Sequence, residues 1–405
     1  MAVVKSLDKA DEPWGNLTTV VVDSGLLLNE KSYQRVINAL NNMRGIFNKV
    51  LFLYHNLEEK AGIGNISSLK DINFDCKFSK DRINDSSIIL KDYFYGKNPS
   101  LVDKLDAGKK ILYLGERRSK FIDTFTPPKG LACHKFYKVV LGTGCPFNCS
   151  YCFLQLTFRM TPYVRQYLNL ESLFKEIDSI DKIGKPVLLN SGELSDSLAV
   201  DPIVKSVEEV IDKISNTCNV SLLLVSKGTN VNHLPDIKNN KVIISASLTT
   251  PINAAVFEDR TADPYSRIDA LARAKAKGYR IRCRIDPIIT YSDNWEEEYS
   301  ELIDYLFDMV EPEVITLGQL RFYPMLLQFI KKRHPKAGEY FLNATREMGG
   351  GGRCRTEFES RAKVYKKIIN LIRKKNKEPL MVAPCKEEYR MCNRLQIPFK
   401  GCNCI

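Results

Sequence analysis

The chain has 405 residues, 44% hydrophobic and 27% charged, the balance of a globular protein large enough to bury a core without disulfides. A net charge of +12 favours polyanionic partners such as nucleic acid, though a lysine-rich composition alone would give the same surplus. The opening MAVVKSLDKADEPWGN is polar, and no apolar run reaches the length of a bilayer span, so a cytoplasmic protein with no membrane partner is expected.

In the segment 1–130, LTTVVVDSG, KVLFLYH and KKILYLGERR read as strands and YQRVINALNNM as a helix, together a small α/β domain. TFTPPKGLAC has the composition of a linker. From 131 to 345 strands and helices alternate. KFYKVVLGTG, KPVLLNSGE, VSLLLVSKG, KVIISASLTT, IRCRIDPIIT and VITLGQLRF read as strands. NLESLFKEIDSI reads as a helix with Asn169 as N-cap, and YSRIDALARAKAKGY as one closed by Gly278. Alternation of this kind predicts βαβ units, here a partial (β/α)6 barrel of TIM type with its function at the strand C-termini. The remainder, 346–405, is a C-terminal extension. It holds the glycine-rich MGGGGRCR, the basic helix FESRAKVYKKIINLIRKKN and a Cys-rich tail.

Twelve cysteines are many for a reducing compartment, and clustered ones point to metal. GTGCPFNCSYCFLQ sets Cys145, Cys149 and Cys152 at C-x3-C-x2-C spacing directly after a predicted strand. Three thiolates hold three irons of a [4Fe–4S] cubane and leave the fourth open. That iron can take the amino and carboxylate groups of S-adenosylmethionine, whose reductive cleavage yields a 5′-deoxyadenosyl radical. Zinc normally takes four ligands, and no partner pair lies nearby. A second group, Cys385, Cys392, Cys402 and Cys404, reads as a second [4Fe–4S] cluster, with four-sulfur zinc as the competing reading. Cys76, Cys133, Cys218 and Cys283 stand alone and read as small buried hydrophobes.

The loop GTGCPFNCSYCFLQ resembles the cluster loop of the spore photoproduct lyase family of radical S-adenosylmethionine enzymes. YLGERRSKF, PYVRQYLNL, SLTT, VFEDRTADPYSRIDA, AKGYRIRCRIDPIIT and NWEEEY also resemble the family, in order, over most of residues 17 to about 370. The resemblance implies a partial barrel with the cluster after its first strand. It implies S-adenosylmethionine contacts at Tyr151, Gly192, Glu193, Ser195, Asp196, Lys227 and Ser247. By themselves Lys227 and Ser247 also read as ordinary polar strand ends. The resemblance also implies a nucleic-acid substrate carrying a pyrimidine lesion, and a reducing partner such as flavodoxin or ferredoxin.

Two positions depart from the family pattern. Glu193 stands in the segment where the family carries a cysteine hydrogen donor, and Phe153 stands where it carries a tyrosine. Glu193 and Cys354 are therefore the catalytic candidates for returning hydrogen. Arg353 and Arg355, beside Cys354, are candidates for phosphate contacts. The departures leave open a radical enzyme of another class, modifying tRNA, peptide or a small molecule with the tail cluster as auxiliary. A non-catalytic iron–sulfur nucleic-acid-binding protein is a third reading.

Overall fold

The computed structural model describes residues 16–43, 45–56, 74–80, 85–344, 347–349, 351–376, 380–397 and 400–405. The chain opens with β1 (Thr19–Asp23), β2 (Lys49–Tyr54), β3 (Phe74–Phe78) and β4 (Ile111–Gly115). β5 (Ile122–Phe125), β6 (Leu131–Ala132) and β7 (Phe136–Val139) follow. β8 (Gly142–Thr143) and β9 (Asn148–Cys149) flank the first cysteine of the loop. Then come β10 (Val164–Tyr167), β11 (Val187–Asn190), β12 (Val220–Ser226) and β13 (Val242–Leu248). β14 (Glu258–Asp259), β15 (Arg280–Ile288) and β16 (Val314–Gln319) complete the middle of the chain. The last strands are β17 (Arg321–Phe322), β18 (Glu347–Gly349), β19 (Arg353–Arg355), β20 (Met381–Pro384) and β21 (Glu387–Glu388).

One sheet has the order β3-β2-β1-β4-β10-β8 and the other β20-β16-β15-β13-β12-β11-β7-β5. The second is parallel from β20 to β7, with β5 antiparallel at its edge. β12 and β13 are apolar runs because both their faces are covered. Helices Val207, Val210 and Ile214 come from, together with those carrying Ile268, Leu271, Leu302 and Leu306, pack on Leu222, Leu224, Ile244 and Ile281. Burial of this kind contributes about 1.5–3 kcal/mol per large side chain. The alternate residues belong to the other, inner face, which is apolar at Leu223, Val225 and Ile243 and polar at Ser245, Arg282, Arg284 and Thr316.

The structure departs from the sequence reading at several places. β10, in the segment read as barrel but not read there as a strand, pairs with β4 and β8 in the first sheet. A seventh parallel strand, β20, comes from the segment read as tail. Asn169 does not cap its helix; its side chain is used across the chain, accepting from Arg117 N at 2.8 Å and donating to Arg117 O at 2.9 Å. Gly278 does follow its helix, at φ +91°, where a Cβ would lie 2.0 Å from Ile237 O.

The barrel sheet is open, and its two ends are strapped together. β21 pairs antiparallel with β6, Glu387 opposite Ala132 and Glu388 opposite Leu131. The C-terminal tail then enters the polar part of the inner face. Asn403 N donates to Thr316 Oγ1 and Asn403 Nδ2 to Ser245 Oγ, both at 3.0 Å. Arg282 Nη1 donates to the carbonyls of Asn403 (2.9 Å) and Ile405 (2.8 Å). Among the described residues, no helix is long and apolar enough to cross a membrane.

Candidate functional site

The loop carrying Cys145, Cys149 and Cys152 is held mainly through its backbone. β9 pairs with β14, setting Cys149 opposite Glu258. Ser150 N donates to Phe257 O at 2.8 Å, and Gln155 Nε2 to Cys149 O at 2.8 Å. Lys109 reaches in from the N-terminal domain. Its Nζ donates to the carbonyls of Cys145 (2.5 Å) and Phe147 (2.6 Å), and burial lowers its pKa. Arg333 donates to Gln155 and, at 2.6 Å, to Asn148 Oδ1.

The three cysteines share one apolar cluster with Phe147, Ala199 and Tyr151. Burial pushes the Cys145 thiol up to about 12 and Cys149 well above its ordinary value, while the ammonium groups of Lys109 and Lys227 pull each the other way. Thiols this desolvated ionise only against positive charge. Irons supply that charge, so three sulfur donors on one loop, backed by Lys109, suit a cluster.

Glu258 is the hub behind the loop. Its side chain is fully buried and accepts from Lys227 Nζ (2.6 Å), Arg267 Nη2 (2.7 Å) and the Tyr151 hydroxyl. Burial opposes its ionisation, but Lys227 and Arg267 outweigh it and hold the carboxyl down at about 2. Lys227 and Tyr151, both expected to meet cofactor, are thus brought together on one carboxylate. Arg267 also donates to Ser247 O at 2.7 Å, which ties in the end of β13.

Asp196 is half-buried, and the desolvation of its carboxyl raises its pKa. It accepts from Lys227 N (2.8 Å), Ser226 Oγ (2.9 Å), Ala199 N (2.9 Å) and Leu198 N (3.1 Å). Its contacts organise the loop after β11. Ser195 bridges to Gly144 at the base of the cysteine loop. Gly192 lies so close to β12 that a Cβ would fall 2.5 Å from Val225 Cβ. Glu193 Oε1 pairs with Lys386 Nζ at 3.3 Å.

A cavity of about 710 Å³ opens beside this loop, with Phe153, Glu193, Arg321, Tyr323, Arg353 and Lys386 among its walls. The Arg353 guanidinium stacks over Tyr323 (4.9 Å) and Phe153 (5.6 Å). Arg355 also borders the cavity, but it is buried and donates to Glu387 Oε2 at 3.3 Å. Cys354 is not among the cavity's lining residues. Its sulfur lies 3.6 Å from Met348 Sδ, against the apolar cluster around Phe322 and Phe341.

The tail cysteines divide. Cys385, Cys402 and Cys404 lie together, and Arg284 Nη2 donates to Cys404 Sγ at 3.0 Å while Arg321 Nη2 reaches Cys385 Sγ at 3.5 Å. The hydrogen bond shared with Cys402, helped by Arg284, lowers the Cys404 pKa and raises that of Cys402. Cys392 is apart from them, buried on the helix Tyr389–Leu395, where the charged group acting on it is Glu387. Cys133, read from the sequence as solitary, acts electrostatically with Cys404, Lys386 and Glu193.

Lys109, Glu258, Arg267 and Cys133 were missed by sequence reasoning. Glu258 and Arg267 lie within the family-like run VFEDRTADPYSRIDA, which carried a signal without a role. Lys109 and Cys133 carry no local motif.

An inward-facing half-barrel with a three-cysteine loop at its first strand is the frame of a radical S-adenosylmethionine enzyme. The family profile described as spore photoproduct lyase matches residues 95–383, and the chain belongs to that family. The spore photoproduct lyase of Geobacillus sp. (strain Y412MC61) is 30% identical over 236 residues, 56% of this chain and 67% of that protein. The Bacillus subtilis (strain 168) enzyme is 28% identical over the same shares. A solved spore photoproduct lyase complexed with dinucleoside spore photoproduct superposes with a TM-score of 0.68 at 20% identity, covering 91% of this chain and 98% of that one. By family, the cofactors are S-adenosylmethionine and a [4Fe–4S] cluster.

Proposed function

We propose that this chain repairs a pyrimidine lesion in DNA, with Cys145, Cys149 and Cys152 as the ligands of its catalytic cluster. When bound, the reduced cluster and S-adenosylmethionine supply a 5′-deoxyadenosyl radical that removes a substrate hydrogen atom. The observation that carries the reading is the 710 Å³ cavity whose wall includes Phe153, the residue after Cys152. Its apolar walls suit unstacked bases, and Arg353 suits a flanking phosphate. A related solved enzyme is described with bound AdoMet and dinucleoside spore photoproduct.

Tyr151, Gly192, Glu193, Ser195, Asp196, Lys227 and Ser247 are the proposed surroundings of S-adenosylmethionine. Asp196 serves there by holding four donors in place. Lys227 shares Glu258 with Arg267, so the trio carries a net positive charge that suits a second carboxylate. A flavodoxin or ferredoxin is the proposed reductant. Cys385, Cys402 and Cys404 are proposed to hold a second metal centre.

The test is anaerobic incubation of the reconstituted enzyme with dithionite, S-adenosylmethionine and an oligonucleotide carrying the spore photoproduct of thymine. Restored thymines together with 5′-deoxyadenosine are expected. Cofactor cleavage without restored thymine would overturn lesion repair while leaving the radical chemistry standing.

One observation favours a second reading, a radical enzyme of another reaction class. No cysteine is among the described residues lining the cavity, and Glu193 there is tied to Lys386. Deuterium passing from labelled tRNA, peptide or small-molecule substrates into 5′-deoxyadenosine, and not from lesion DNA, would establish it.

A further inference from the structure

We infer that Cys133, and not Cys392, is the fourth ligand of a second iron–sulfur cluster, completed by Cys385, Cys402 and Cys404 across the open seam of the barrel. The inference rests on the proposal that the tail holds a metal centre, and it assigns that centre its ligands.

Strand register carries the first part of the argument. β6 and β21 run antiparallel with Ala132 opposite Glu387. The ladder ends at that pair, and the next residues on the two segments are Cys133, whose N–H turns back to Leu131 O at 3.0 Å, and Lys386, which follows Cys385. Cys385 is fixed in turn by its N–H donating to Leu317 O at 2.6 Å. The tail brings in the other two sulfurs, because Asn403, between Cys402 and Cys404, is bonded to Thr316 and Ser245. Four cysteines from three separate segments are thus carried to the edges where the first and last strands of the barrel fail to join.

Buried charge carries the second part. A guanidinium stays charged in any protein environment, and burying it without a counter-charge is costly. Arg284 points into the seam and donates to Cys404 Sγ at 3.0 Å, while its Nε, also buried, has no partner among the described residues. The nearby carboxylate of Asp286 is occupied by Arg321, which holds it at 2.9 and 3.1 Å. Thiolates are the remaining anions, and four of them around a cubane give Arg284, Arg321 and Lys386 a net-negative partner. Cys392 lacks such surroundings.

A tetrahedral zinc shell draws four sulfurs to about 3.8 Å from one another, whereas a cubane carries its four thiolates at separated corners, so metal analysis distinguishes the two. With all four irons ligated, the seam cluster has no open site for substrate, and Arg321 and Lys386 connect it to the wall of the cavity.

The test uses the full chain carrying C145A, C149A and C152A together, so that any remaining iron belongs to the seam. About four irons per chain and a reducible cluster spectrum are expected after anaerobic reconstitution. Adding Cys133→Ser is expected to abolish the four-iron spectrum, and adding Cys392→Ser to leave it unchanged. As a second measurement on the otherwise unaltered triple variant, alkylation and mass spectrometry should find Cys133 protected until the metal is chelated. Loss of iron with Cys392→Ser and not Cys133→Ser, or a Cys133 alkylated equally with and without metal, would overturn the ligand assignment. One zinc in place of four irons would overturn the cluster, and no metal at all would overturn the centre itself. Loss of the catalytic cluster is read separately, from the iron difference between wild type and the triple variant.

Discussion

Lys227 Nζ lies 2.6 Å from Glu258 Oε1, and that carboxylate is completely buried with Arg267 on its other oxygen. One carboxylate is therefore shared by two cations, leaving a net positive charge, and the Lys227 ammonium lies over the Tyr151 ring at 5.7 Å. Glu258→Gln leaves both cations under-compensated in a dry region. A loss of about 3–5 kcal/mol in unfolding free energy is expected, read by urea denaturation.

The same carboxylate sets an acid dependence. Its folded pKa, about 2, lies below the ordinary carboxylate value, so the stability it confers is complete above about pH 4.3. That stability drains away as pH falls from there towards 2. Urea midpoints measured at pH 6 and pH 3 should differ less in Glu258→Gln than in wild type.

Lys109 links the N-terminal domain to the catalytic loop through the carbonyls of Cys145 and Phe147. Lys109→Met removes two charge-assisted hydrogen bonds, each worth about 1.5–3 kcal/mol. The loop should lose its hold on iron while the proposed seam centre keeps its own. Iron analysis paired with circular dichroism checks this: unchanged iron would show the contact to be dispensable.

Arg353 and Arg355 sit two residues apart and should behave oppositely. Arg353→Ala is expected to weaken DNA binding and reduce the slope of log affinity against log salt by about 0.9, with little change in stability. Arg355→Ala breaks a buried pair with Glu387 and should cost about 3–5 kcal/mol of stability. Fluorescence anisotropy across a salt series and denaturation curves separate the two.

Gly192→Ala puts a methyl group 2.5 Å from Val225 Cβ. Overpacking of this kind costs about 1–3 kcal/mol. Combining it with Val225→Ala should recover much of that loss, and S-adenosylmethionine binding with it, in a double-mutant cycle.

The barrel was legible because its signals are local. Apolar runs such as VSLLLVS and VIISASL mark doubly covered strands, and intervening periodic segments mark the helices between them. Asn169 misled for the converse reason: its cap-like position is local, but its partner, Arg117, is 52 residues away in sequence. β20 escaped notice because MVAP is short and carries a proline, which a strand tolerates at its end.

The spacing of Cys145, Cys149 and Cys152 needs no tertiary information, because eight residues of chain keep three sulfurs within reach of one cluster whatever surrounds them. The family-like runs are equally a property of chain order. The grouping of Cys133 with Cys385, Cys402 and Cys404 is of another kind. It depends on β6 meeting β21 and on Asn403 reaching Thr316 and Ser245, contacts between segments more than 80 residues apart in sequence. Proximity in sequence favoured Cys392, seven residues from Cys385, but it is buried on the helix Tyr389–Leu395, where the charged group acting on it is Glu387. Charge balance followed the same rule: Glu258 and Lys109 became part of the site only once folding had removed the water that would otherwise have screened them.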